Sequence, residues 1–251
     1  MISKAKVKFI RSLERKKVRM QEGVFVAEGP KVVGELLQVA VPTIIVSTSE
    51  WKEHHPFLTA IESYIVTEDE LRQVSFLQHP QEVLAIFPFI NSPMAIPSDS
   101  LTLALDGIQD PGNLGTIIRI ADWFGIKTVY CSLSTVDVYN PKVMQATMGS
   151  IARVRVIYTD LLKMIDSLPA DYPVYGTFLD GDSIYQQELH SKGMIVMGNE
   201  GNGVSSEIAS KVTCRLLIPH YPQDSITTDS LNVAIATAIT CAEFRRRQLE
   251  C

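Results

Sequence analysis

The sequence predicts an α/β protein: a mainly parallel sheet with helices on both faces, preceded by a small α/β domain. Three observations predict it. Short β-type runs alternate with helical periods along the chain, and the later runs are almost continuously apolar, as strands covered on both faces must be. The stretch "NSPMAIPSDS" at 91–100 breaks every period with two prolines and a cluster of Ser, Asn and Asp, dividing residues 1–92 from residues 98–251. At 251 residues, 46% hydrophobic and 20% charged, the chain can bury a substantial core. It has no run of 18 apolar residues and no apolar segment after its charged N-terminus, so membrane insertion is not expected and the cytoplasm is. Cys131, Cys214, Cys241 and Cys251 are scattered without a C-x-x-C pair and read as reduced thiols.

The first element is basic. Residues 1–20 hold eight Lys or Arg against the single Glu14, a local charge of +7 that leaves −12 on the other 231 residues. A basic arm on an acidic body is the footprint of a polyanion contact, because each neutralised phosphate releases counterions. The residues expected to contact RNA are Lys4, Lys6, Lys8, Arg11, Arg15, Lys16, Lys17 and Arg19. The equal alternative is a solvated helix docked by Val7, Ile10 and Leu13. "GVFVAEG", a helix at 30–39, "TIIVS", "YIVT" and "EVLAIFPF" at 82–89 follow as a small α/β unit, in which "TEDEL" at 67–71 has capping-box spacing. The second part has strands at 101–106, 127–132, 153–158, 173–179, 193–197 and 214–219, with helices between them. Ligands of parallel sheets bind beyond the carboxyl ends of strands, which selects the loops after 106, 197 and 219.

In "LDGIQDPGNLGTIIRIADWFGI", 105–126, Asn113 is placed as N-cap, and Leu114, Ile117, Ile118, Ala121 and Phe124 follow a helical stripe. Arg119 lies off that stripe, in the second turn of a helix whose first amides favour anions. "GNEGNGVSSEI", 198–208, is neither a dinucleotide fingerprint nor a P-loop. Glycines 198, 201 and 203 let the backbone approach a flat neutral group such as a nucleobase, and Glu200 adds one acceptor or proton carrier. In the third loop, Asp229 or Ser230 is expected to cap a long helix. Its stripe of Leu231, Ala234, Ile235, Ala238, Ile239 and Ala242 suits either core packing or a subunit interface. The terminal "FRRRQ" complements the helix dipole or touches RNA. His54, His55, His79 and His190 lack metal-ligand spacing, no metal is expected, and His220 is read as a surface or substrate contact.

Together "NLGTIIR" at 113–119, "MGNEGNG" at 197–203, and "IP" at 218–219 with "SLNVA" at 230–234 resemble the SpoU/TrmH branch of the SPOUT, or knotted, RNA methyltransferases. "NPKVMQATMGSIARVRV", 140–156, is similar to that family's connecting segment, and "FVAEGPKVVGELL", 25–37, to the start of its accessory substrate-binding domain. The resemblance implies a C-terminal trefoil knot, a homodimer, and S-adenosylmethionine held by Met197, Gly198, Asn199, Gly201, Gly203, Ile218, Pro219, Ser230 and Leu231. It implies methyl transfer to a ribose 2′-hydroxyl of RNA, ribosomal RNA in preference to tRNA. Arg119 would contact phosphate and assist the hydroxyl, with Asn113, Glu200, Ser230 and Asn232 orienting the reactants. A guanidinium with a pKa above about 12 is a poor base, which favours electrostatic stabilisation by Arg119. A non-catalytic RNA-binding protein of the same fold is the alternative of a different class. The connection "HYPQDSITTD" is longer than the family's usual one, and Asp229 stands where Glu is common.

Overall fold

A computed structural model describes residues 2–56, 62–222, 228 and 230–249. The chain divides into two compact units: Met1–Asn91 with Asp137–Ala152, and Ser92–Val136 with Arg153–Cys251.

The first unit opens with α1 (Lys4–Ser12) and α2 (Lys16–Glu22), two helices where the sequence suggests one basic arm. Gly23, at φ +66°, takes the left-handed conformation that ends α2. There follow β1 (Val24–Glu28), α3 (Pro30–Leu36), β2 (Ile44–Ser47), α4 (Ser49–His54), β3 (Glu62–Ile65), α5 (Glu68–Val74) and β4 (Val83–Pro88). The sheet runs β1-β4-β2-β3, with β2 and β3 parallel and the other pairs antiparallel. The capping box is present: Thr67 accepts from the Glu70 N–H, and the Glu70 carboxylate accepts from the Thr67 N–H. Ile10 and Leu13 are fully buried with Val26, Val46, Val74, Leu84 and Ile86, so the apolar side of the arm is core.

Residues Asp137–Ala152, which the sequence places in the second domain, pack with this first unit. Tyr139 stacks on Phe25 and Phe89 at centroid distances of 4.6 and 4.4 Å, and its hydroxyl accepts from the Ile90 N–H at 2.9 Å. Beyond α7 (Pro141–Thr147), Gly149 sits at φ +92°, where an added Cβ would lie 2.7 Å from the Glu35 Cγ. Aromatic stacking and this close approach hold a segment whose local sequence reads only as a helix and connector.

The second unit contains β5 (Leu101–Leu105), α6 (Pro111–Trp123), β6 (Thr128–Cys131), β7 (Arg155–Tyr158), α8 (Leu161–Asp166), β8 (Val174–Ser183), β9 (Gly193–Met197), α9 (Ser206–Ala209), β10 (Cys214–Leu217) and α10 (Val233–Leu249). Its six strands, all parallel, run in the order β10-β8-β9-β5-β6-β7. All six were expected from their apolar runs, and β5 and β9 are buried at every position. The carboxyl ends of β5 and β9 lie side by side, which brings the first two motif loops together. Helices α6 and α10 pack against each other. The face α10 buries is Val233, Ala234, Thr237, Thr240, Cys241, Glu243 and Phe244. Of the small-residue stripe only Ala234 belongs to it; Ile235 is 52% exposed and Ala242 is exposed. Burial pushes the Cys241 thiol up to about 12 and raises Cys131 as well. Among the described residues no helix is long and apolar enough to cross a membrane.

Candidate active site

Two helix caps build the site. Asp110, not Asn113, caps α6: its carboxylate accepts the Asn113 N–H at 2.8 Å, ahead of Pro111 at the first helical position. Asn113 is thereby one turn inside the helix, with its side chain uncommitted to the cap. At α10 the cap is Asn232, whose Oδ1 accepts from the Ala234 and Ile235 N–H groups at 3.0 and 3.3 Å. Ser230 precedes it, and Asp229 lies outside the described residues. Because Oδ1 of Asn232 accepts, its Nδ2 must be the donor. It donates to Asn113 Oδ1 at 2.9 Å, and Asn113 Nδ2 donates to Glu200 Oε1 at 2.7 Å. One directed chain of hydrogen bonds thus joins all three motif loops.

The glycine-rich loop is self-braced. Asn199 and Gly203 exchange backbone hydrogen bonds at 2.9 Å, while Asn199 Oδ1 accepts from the Gly201 and Asn202 N–H groups at 2.9 and 3.1 Å. Asn199 Nδ2 donates to the Gly107 carbonyl at 2.7 Å, tying the loop to the one after β5. A Cβ at Gly198 would lie 2.2 Å from the Gly203 carbonyl carbon, so only glycine fits there. Gly203 itself has φ +67°.

Beside this loop lies a cavity of about 610 Å³, a size usual for small-molecule sites. Its wall includes Met197, Gly198, Asn199, Gly201, Gly203, Ile218, Ser230 and Leu231; Pro219 stands outside it. Among the described residues Glu200 is the one charged side chain lining it, and Leu216, Ile218, Leu231 and Val233 make much of the wall apolar. A wall that among the described residues has no lysine or arginine suits a neutral purine and a cationic sulfonium better than a phosphate. The residues present therefore fit S-adenosylmethionine.

Sequence reasoning missed Thr177, Phe178 and Leu179, which also line the cavity. Gly176 pairs with Arg215 and Asp182 with the next residue, Leu216, so residues 177–181 loop out of the β8 ladder. A Cβ at Gly181 would meet the Arg215 carbonyl oxygen at 2.8 Å, and the Arg215 guanidinium lies 3.5 Å over the Phe178 ring. The available signal was Gly181 with its acidic neighbours, a turn pattern at the end of an apolar run.

Arg119 is exposed on α6, opposite the buried Leu114, Ile117, Ile118 and Ala121. One turn further, Trp123 is 85% exposed. Neither Arg119 nor Asn232 lines the cavity, whereas Glu200 does.

The arm's charges are not alike. Arg19, expected to contact RNA, is buried instead: its guanidinium donates to the Leu13 and Glu14 carbonyls at 2.8 and 2.6 Å and to Asp137 at 2.6 Å. A fully desolvated cation with internal partners is structural. Lys6 pairs with Glu62 at 3.0 Å, and Arg11 donates to the Ser75 carbonyl while lying over the Phe76 ring. Lys4, Lys8, Arg15, Lys16 and Lys17 are exposed. The C-terminal arginines are engaged internally too. Arg245 donates to the Phe124 carbonyl at 2.7 Å, and Arg246 and then Arg247 hold the Glu243 carboxyl below its usual range. Among the described residues, no three His, Cys, Asp or Glu side chains converge as a metal site.

Residues 100–242 match the SpoU rRNA methylase family, and residues 4–85 match the MRM3-like substrate binding domain. The 23S rRNA (guanosine(2553)-2′-O)-methyltransferase of Bacillus subtilis is 33% identical over 243 residues, 96% of each chain. A TrmH-family protein of Porphyromonas gingivalis superposes with a TM-score of 0.90 at 40% identity, covering 98% of this chain and 99% of that one. An AdoMet-bound rRNA methyltransferase of Sinorhizobium meliloti gives 0.87 at 30% identity, covering 98% and 96%.

Proposed function

The chain belongs to the SpoU rRNA methylase family, and from that premise we propose that it is an S-adenosylmethionine-dependent RNA 2′-O-ribose methyltransferase acting on ribosomal RNA. The observation that carries the reading is the chain Asn232–Asn113–Glu200, which links three motif loops beside a cavity that, among the described residues, has no basic side chain. The methyl donor supplies an activated methyl group on a positively charged sulfur, so the reaction calls for no metal. Gly198, Asn199, Gly201, Gly203, Ile218 and Leu231 hold its adenosyl part through backbone groups and apolar contact. Arg119 draws in the phosphate of the target nucleotide and stabilises charge developing on the ribose oxygen. Ser230 and Asn232 fix the edge of the site.

The exposed arm residues Lys4, Lys8, Arg15, Lys16 and Lys17 contribute phosphate contacts, with the first unit selecting the RNA. The reading includes the trefoil knot, a cytoplasmic location, and a homodimer formed through the exposed apolar side of α10 and Trp123 on α6. Ile235, 52% exposed, and Trp123 are large apolar side chains that the monomer leaves uncovered.

The test is methyl transfer to ribosomal RNA, with ribose methylation mapped in cells with and without the protein. Arg119→Ala is expected to lower turnover by about 10²–10³, the scale of a lost transition-state donor, while calorimetry finds cofactor affinity within about twofold of the parent. Retained turnover in Arg119→Ala removes that residue from the mechanism. A parent protein that neither binds S-adenosylmethionine nor methylates RNA overturns the assignment.

A further inference from the structure

Residues 177–181 leave the β8 ladder and yet form part of the cavity wall, so something other than the sheet must hold them there. We infer that Arg215, which does not line the cavity, governs how tightly the methyl donor is held, because it fixes this excursion in place. The inference rests on the methyltransferase reading above and concerns affinity for the donor, not the chemical step. Gly176 pairs with both β9 and β10, and Asp182 resumes the β10 ladder, so residues 177–181 have no registered partner on either neighbouring strand. Backbone that leaves its ladder gives up the hydrogen bonds that fixed it, and side chains must supply the position instead.

Three residues of the excursion rest on Arg215. Gly181 lies against its carbonyl, where a Cβ would come within 2.8 Å of the oxygen. Asp180 Oδ1 accepts from its guanidinium at 2.5 Å. The Phe178 ring lies under the same guanidinium, whose carbon is 3.5 Å from the ring centroid. Arg215 stands where the register breaks, so its side chain holds the start of the excursion while its backbone meets the end. A planar guanidinium can cover a ring and still donate sideways to a carboxylate, which a lysine ammonium cannot do in the same way. The ring is confined on another side as well: a Cβ at Gly176 would overlap its Cε2, so Phe178 folds back over a position that only glycine leaves open. Thr177, Phe178 and Leu179 are the residues of the excursion that line the cavity. Arg215 is therefore a positioning residue that reaches the ligand through Phe178. An apolar wall fixed before binding costs the ligand no ordering, whereas a mobile one must be ordered by it, and affinity falls accordingly.

The test uses the full chain. In Arg215→Ala the calorimetric Kd for S-adenosylmethionine is expected to rise about three- to tenfold, the scale of one cation–π contact with an exposed ion pair. The KM for the donor rises in parallel, while turnover at saturating donor stays within about twofold, because the Asn232–Asn113–Glu200 chain is untouched. Arg215 is only partly buried, so the melting temperature is expected to stay near the parent's. Chymotrypsin added to donor-free protein is expected to cut after Phe178 at least about fivefold faster in the variant, since cleavage follows the population of the loosened excursion. Made in a Phe178→Leu background, Arg215→Ala is expected to change donor affinity by less than about twofold, because the arginine acts through the ring. Parent-like affinity in Arg215→Ala, cleavage no faster than the parent's, or an undiminished effect in the Phe178→Leu background overturns the inference and leaves the methyltransferase assignment standing. A parent that binds no S-adenosylmethionine fails the assignment itself, and the cleavage rates still decide whether Arg215 holds the excursion.

Discussion

The basic arm and the three loops at the strand ends both stand out in the sequence, one by charge density and the other by spacing. The structure treats them differently. Eight basic residues in the arm divide into a buried Arg19, Lys6 and the exposed Arg11 with partners in the same unit, and five further exposed side chains. The loops, with far fewer charges, bring Asn113, Glu200 and Asn232 into one hydrogen-bonded chain. Charge density reports that a surface is polar without saying which charges are available to a ligand. Motif spacing tied to strand ends specifies position, because the parallel sheet fixes where each loop begins.

Breaking this contrast starts with its most buried member. Arg19→Ala strips Asp137 of a desolvated partner and is expected to cost about 3–5 kcal/mol in urea denaturation while leaving the salt dependence of RNA binding unchanged. Unaltered stability with a flatter salt slope would return Arg19 to the RNA surface. Next in size is Gly198→Ala, which forces a Cβ against the Gly203 backbone. Overpacking of about 1–3 kcal/mol concentrated in the loop is expected to weaken S-adenosylmethionine binding by about ten- to a hundredfold in calorimetry. Parent-like affinity would separate the loop from the cofactor. The smallest effects come from the exposed charges: replacing Lys4, Lys8, Arg15, Lys16 or Lys17 singly by Ala should lower the slope of log affinity against log salt by about 1 with no change in melting temperature. If none of the five moves the slope, the arm is a solvated face.

Much of the fold was legible because both periods are strong: the six strands of the second unit and the Thr67 capping box lie where local pattern puts them. What was not legible depends on choices between adjacent polar residues or on distant partners. Asp110 and Asn113 are both good caps, and Pro111 resolves the choice by fitting the first helical position. Asn232 takes the α10 cap from Ser230 by an equally local competition. The burial of Arg19 required knowing that Asp137 would meet it from more than a hundred residues away. The start of the 177–181 excursion reads as strand because Phe178 and Leu179 prolong the apolar run at 173–179, and only the paired register of β10 exposes the break. The core alternative for the α10 stripe does not hold because alanines fall on both sides of that helix while Thr237 and Thr240 lie on the buried one, so composition does not mark the buried face.

The two tryptophans give the protein a built-in optical label for each unit. Trp51 is 2% exposed and stacked on His55 in the first, and Trp123 is 85% exposed at the end of the helix carrying Arg119 in the second. Emission from a sealed indole lies to the blue of emission from a hydrated one, so in separated protomers one excitation wavelength reports two environments. Covering Trp123 in the proposed homodimer moves the red component to the blue, and a change confined to the blue component follows loosening of the first unit, without any dye attached.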